Sequence, residues 1–212
     1  MSKVHIHEDD EGMRNVYPAS AISDVMDDIA AAKLNSVESR APNGVGWTNL
    51  HLIQKPEKSF LEIGMEWQCV AKAIGEFLPR IKEFEVGFHT ENPLHYKDLD
   101  PTCYGFGQSL YVKLETDGDY LKAIWFDTRS NVEEELFALR RALEAINEIH
   151  PSIIADYWLD TAGLIGDQAF LDSYIEGLRR TAALSSDPSI MNEEPISPTF
   201  WSKIKMRLFG PR

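Results

Sequence analysis

The chain of 212 residues has a net charge of -13, a hydrophobic content of 43% and an aromatic content of 10%. That composition excludes wholesale disorder, and the length is enough to bury one sizeable core. So much negative charge disfavours nucleic acid as a partner, because that affinity rests on Lys and Arg neutralising phosphates.

Residues 1–16 are polar and predict a flexible N-terminus. Tyr17-Pro18-Ala19-Ser20 reads as a helix entry. Ile22, Val25, Met26 and Ile29 follow at helical spacing and predict an amphipathic helix to about Leu34. Asp24, Asp27 and Asp28 fall away from that stripe, near the positive end of the helix dipole. Pro42 to Gly46 reads as a turn, and Trp47 to Ile53 as a strand with Leu50 and Leu52 on one face. A turn around Pro56 leads to a second expected strand, Phe60 to Met65. Trp67, Val70, Ala71, Ile74 and Leu78 then form a helical stripe that ends near Pro79. Phe84, Val86 and Phe88 alternate as a short strand. Residues 90–107, rich in proline and glycine and carrying Asp98 and Asp100, predict a long loop.

The second half has a plainer pattern. Leu110, Val112 and Leu114 alternate with Tyr111, Lys113 and Glu115. Thr116-Asp117-Gly118-Asp119 makes a hairpin turn, and Tyr120 to Phe126 returns. Ser130 and Glu133 have the spacing of a capping box. Val132, Leu136, Leu139, Leu143 and Ile146 predict a helix that stops at His150-Pro151. Ile153 to Leu159 reads as a buried strand. Asp167 can cap a last helix with Phe170, Leu171, Tyr174, Ile175 and Leu178 toward the core. The expected fold is therefore α+β, a small antiparallel sheet packed against several amphipathic helices. Its single domain spans residues 17–182. Residues 183–199 form a Pro/Ser-rich linker, and residues 200–212 a basic amphipathic tail. That tail interleaves Phe200, Trp201, Ile204 and Leu208 with Lys203, Lys205 and Arg207.

Motifs for chemistry are sparse. His5 and His7 would point the same way in a strand, yet no third His or Cys is spaced to complete a metal site. Cys69 and Cys103 form neither a disulfide framework nor a metal spacing. Gly-x-Ser-x-Gly is absent, and Gly105-Phe106-Gly107 lacks the rest of a phosphate loop. The sequence nominates no catalytic residues, no metal site and no cofactor. The start, Met1 to His7, has no apolar run of signal-peptide length, which predicts a cytoplasmic chain with reduced thiols.

The most suggestive patch is Ala155 to Asp160. As a strand it would place Asp156, Trp158 and Asp160 on one face, an aromatic anchor between two acceptors for a basic protein partner. Asp98 and Asp100 are candidate binding residues of the same kind. With Asp24, Asp27, Asp28 and the Glu133-Glu134-Glu135 run, this motif-poor acidic chain resembles the immunity proteins that neutralise bacterial toxins. The resemblance implies a stoichiometric inhibitor that occludes the basic active-site cleft of a toxin domain. Two other readings stay open: an enzyme whose Asp, Glu and His residues converge only in space, and an adaptor whose basic tail meets a membrane or a partner.

Overall fold

A computed structural model describes residues 4–6, 12–41, 48–49, 51–86, 94–97 and 101–185. Its larger sheet is antiparallel throughout. The strands are β2 (Arg14–Pro18), β5 (Cys103–Gly107), β6 (Leu110–Asp117), β7 (Tyr120–Thr128), β8 (Ser152–Asp156) and β9 (Thr161–Leu164), in the order β5-β6-β7-β2-β8-β9. A second sheet joins β1 (Val4–Ile6), β3 (Glu83–Val86) and β4 (Leu94–Lys97), with β1 and β3 parallel. The helices are α1 (Ile22–Glu38), α2 (Phe60–Ile63), α3 (Trp67–Ile74), α4 (Glu133–Ile149) and α5 (Gln168–Ser185). The fold is α+β.

Period-2 patterning assigns each face of the larger sheet. Leu110, Val112 and Leu114 on β6, Ile124 and Phe126 on β7, and Ile154 on β8 bury under α3, α4 and α5. The alternate residues Tyr111 and Trp125 face the small sheet and meet Val4, Ile6 and Phe84. Their rings pack edge to face with centroids 5.8 Å apart. Toward β8 the same face receives α1, whose Val25 and Ile29 pack on Ile153, Ala155 and Tyr157. The stripe read for α1 is narrower than expected, since Met26 is 54% exposed.

Several sequence expectations are corrected. Residues 4–6 and 14–16 lie in strands, although the polar composition of 1–16 reads as flexible. Val16 carries this placement, being wholly buried under the helices. Phe60 to Ile63 is a helix rather than a strand. Ser59 and Glu62 form a reciprocal capping box, and Gly64 closes the turn at φ 70. Residues 51–53 form no strand. The loop expected over 90–107 contains β4 and β5. Ser130 does not cap α4. Val132 is the N-cap, and the Ser130 hydroxyl, two residues before it, accepts from the Val132 amide. Asp167 does cap α5, accepting from the amides of Ala169 and Phe170. The linker stretch 186–199 and the tail 200–212 lie outside the described residues.

Candidate functional site

The patch Asp156–Asp160 is not a strand face. β8 ends at Asp156 and the chain turns through residues 157–160 before β9. Alternation therefore fails beyond Asp156, and the three side chains part company. Asp156 is wholly buried, while Trp158, Leu159 and Asp160 are half-buried at the turn. Asp160 adopts φ 49, in the left-handed region that Asp and Asn tolerate better than most residues.

Register explains why an acid can sit at the end of β8. Asp156 lies opposite Arg14 on β2. Arg14 Nε donates to Asp156 Oδ2 at 3.0 Å, and Arg14 Nη1 donates to Asp127 Oδ1 on β7. Tyr174 Oη, from α5, donates to Asp156 Oδ2 at 2.9 Å, and the Leu159 amide donates to Asp156 Oδ1 at 2.9 Å. Burial alone would push the Arg14 guanidinium down, but Asp156 and Asp127 outweigh it and hold the group above its ordinary value. Burial and then the Asp156 charge raise the Tyr174 phenol well above its usual range, so it stays a donor.

A second cluster holds the turn from the opposite side of the sheet. Tyr157 Oη donates to Asp28 Oδ2 on α1 at 2.7 Å, and the Tyr157 amide donates to the Met13 carbonyl at 2.9 Å. His51 Nε2 lies 2.8 Å from Asp28 Oδ1, and the Gln54 amide donates to Asp28 Oδ2 at 3.1 Å. Asp28 is thus a buried hub on the inner side of α1, contrary to its expected place with the solvent-facing acids. Asp24 and Asp27 do face solvent. Burial, and then the bond to Asp28, push the Tyr157 phenol up.

The turn is therefore clamped at both ends. Asp156 fixes its entry and the Leu159 amide, and Tyr157 ties it down to α1. A half-buried Trp and a half-buried carboxylate ride on a backbone whose freedom is already spent in folding. Such an arrangement can bind a partner with little further ordering cost.

The remaining candidates are dispersed. Asp98 and Asp100 lie outside the described residues. Glu133 and Glu134 are exposed on the first turn of α4, and Glu135 is half-buried. Cys69 is exposed on α3, and Cys103 is buried on β5. His5 Nδ1 lies 3.6 Å from Glu85 Oε2, and His7 is outside the described residues. Among the described residues no group of three His, Cys, Asp or Glu is placed to hold a metal ion, and no helix is long and apolar enough to cross a membrane.

Arg14, Asp127 and Tyr174 escape sequence reasoning because their partners lie far away in the chain. One signal was present: Asp127 follows Ile124-Trp125-Phe126 and Asp156 follows Ile153-Ile154-Ala155, each an acid at the end of a buried apolar run. Compared with protein-family models, curated proteins and solved structures, the chain matches none.

Proposed function

We propose that this chain is an acidic binding protein of the bacterial cytoplasm, an immunity-type inhibitor that occludes a basic active-site cleft of a cognate toxin. The observation that carries the reading is the doubly clamped turn presenting Trp158 and Asp160. Aromatic anchors on rigid backbone dominate binding energy at protein interfaces. The net charge of -13 favours fast encounter with a basic partner. The exposed Asp24 and Asp27 lie on α1, which packs on β9 just after the turn.

The test begins with affinity capture from the native cell and identification by mass spectrometry, followed by kinetics with the purified partner. Trp158→Ala should speed dissociation by about 30-fold or more, the scale of a hot-spot residue. Asp160→Asn keeps a residue suited to the left-handed conformation and removes the charge. It should slow association, and the effect should vanish at high salt. Both variants must melt as the parent does. Unchanged kinetics in both would remove the turn from the interface, and substrate turnover by the chain alone would overturn the inhibitor reading. An enzyme reading has one observation in its favour, the half-buried His51 held by the Asp28 carboxylate, and His51→Gln would abolish such turnover.

A further inference from the structure

His5 lacks a third metal ligand near it in sequence, but strand pairing supplies one from far along the chain. In the small sheet β3 lies between β1 and β4. His5 pairs with Glu85, and Glu85 pairs with His95. Directly paired residues share a face of a sheet, so positions 5, 85 and 95 form one row across three strands. Val4, Ile6 and Phe84 pack on Tyr111 and Trp125. By alternation the row belongs to the opposite face. An ion above the middle strand is displaced sideways by one strand spacing, about 4.8 Å, from each histidine position.

The side chains of His5 and Glu85 already converge. His5 Nδ1 lies 3.6 Å from Glu85 Oε2, and the two side chains are 23% and 20% exposed. The Nδ1 atom is buried and has no hydrogen-bond partner among the described residues. Its distance to the carboxylate exceeds the ~2.7–3.2 Å of an N–H···O bond. It is close to the edge of a zinc tetrahedron, about 3.4 Å for ligand bonds of about 2.0–2.1 Å. The backbone under His5 is held in place from outside the sheet. Gln108, in the turn between β5 and β6, accepts from the His5 amide at 2.7 Å and donates to the His5 carbonyl at 3.0 Å. Two imidazoles with one carboxylate suit zinc, whereas magnesium and calcium favour oxygen ligands alone.

We infer that His5, Glu85 and His95 bind one zinc ion, with the fourth tetrahedral position left to water. The ion staples the small sheet. Strands of 3 and 4 residues hold one another by few ladder bonds, and an ion that binds only the folded state stabilises it by mass action. The inference is independent of the proposed toxin contact, whose residues belong to the larger sheet.

The test uses the untagged full-length chain, stripped of metal with a chelator and titrated with zinc chloride in a calorimeter. The expected isotherm is one-to-one with micromolar or tighter affinity, and zinc should raise the melting temperature. Cobalt(II) chloride should give the visible bands of a tetrahedral nitrogen–oxygen site, bleached by added zinc. Loss of a group that merely supports a ligand costs about 10–100-fold in metal affinity, so His5→Gln, Glu85→Gln and His95→Gln should each cost at least about tenfold. Their melts without metal should match the parent. Should His5→Gln fail to fold, the other two variants and the cobalt spectrum decide. His7→Gln and His89→Gln should bind as the parent does. A parent without a one-to-one isotherm overturns the proposal and leaves His5 and Glu85 as an ordinary pair. Parent-like affinity in Glu85→Gln or His95→Gln overturns it too. So does lost binding in His7→Gln or His89→Gln, which would assign the ion to a different set of histidines.

Discussion

Replacing Asp156 by Ala tests the central structural argument. Asp156 is wholly buried and accepts from Arg14 Nε, Tyr174 Oη and the Leu159 amide. Removing it strands a buried phenol and a backbone amide, and leaves the Arg14 guanidinium to Asp127 alone. Breaking a buried pair by deleting one partner costs about 3–5 kcal/mol, chiefly because the surviving charge stays desolvated. For a chain of this size that lowers the melting temperature by roughly 6–20 °C. Tyr174→Phe removes one donor but keeps the Arg14–Asp156 pair, so it should cost about 1–2 kcal/mol. Urea unfolding followed by far-UV circular dichroism gives both numbers, provided the dependence on denaturant is unchanged. A loss below about 1 kcal/mol for Asp156→Ala, or a larger loss for Tyr174→Phe, would refute the view that this carboxylate ties β2, β8, α5 and the turn together. The clamp makes a second demand. If Asp156→Ala folds, the turn should bind the proposed partner more weakly even though Asp156 itself is wholly buried.

Leu143→Ala should cost about 2–5 kcal/mol, since Leu143 is 1% exposed in the core beneath α4, whereas Phe137→Ala on the same helix should stay within about 0.5 kcal/mol; urea titrations of the pair read the helix phase directly. Gly105→Ala should cost more than about 2 kcal/mol or prevent folding. Gly105 sits at φ 151 where the β5–β6 register shifts, and a Cβ there would lie 2.2 Å from the Leu110 carbonyl oxygen; a melt within 2 °C of the parent would contradict that geometry. Stability should decline in alkali. Burial, then Asp28 and Glu115, push the Tyr17 phenol up to about 12, and Tyr157 and Tyr174 are also raised. The unfolded chain releases these protons near pH 10 while the folded chain keeps them, so their contribution is complete below pH 10; the Tyr17 share is lost as pH rises from 10 through about 12, and the Tyr157 and Tyr174 shares are lost higher still. Phenolate absorbance at 295 nm should rise together with the loss of circular dichroism; full ionisation near pH 10 with the fold intact would disprove it.

Local pattern alone determined much of the second half. The alternation in Leu110–Leu114 and Tyr120–Phe126, the Asp-Gly turn between them, the α4 stripe and the Asp167 cap each act over a few residues, so each is legible where it stands. The net charge, too, belongs to the sequence. Tertiary structure decided the rest. Val4–Ile6 and Arg14–Pro18 become strands because Phe84 and Ile153 supply partners far along the chain, and no short-range periodicity announces that. Phe60–Ile63 carries an apolar run too short to separate strand from helix, and the Ser59–Glu62 box settles it. In the candidate site the sequence placed Asp156, Trp158 and Asp160 on one strand face, and the structure gives that segment another shape. Trp158 and Asp160 belong to a turn because Asp156, instead of lining a surface, is drawn inward by Arg14 and Tyr174. A buried acid is stable only where its partners converge, and that convergence exists only once the sheet register is set.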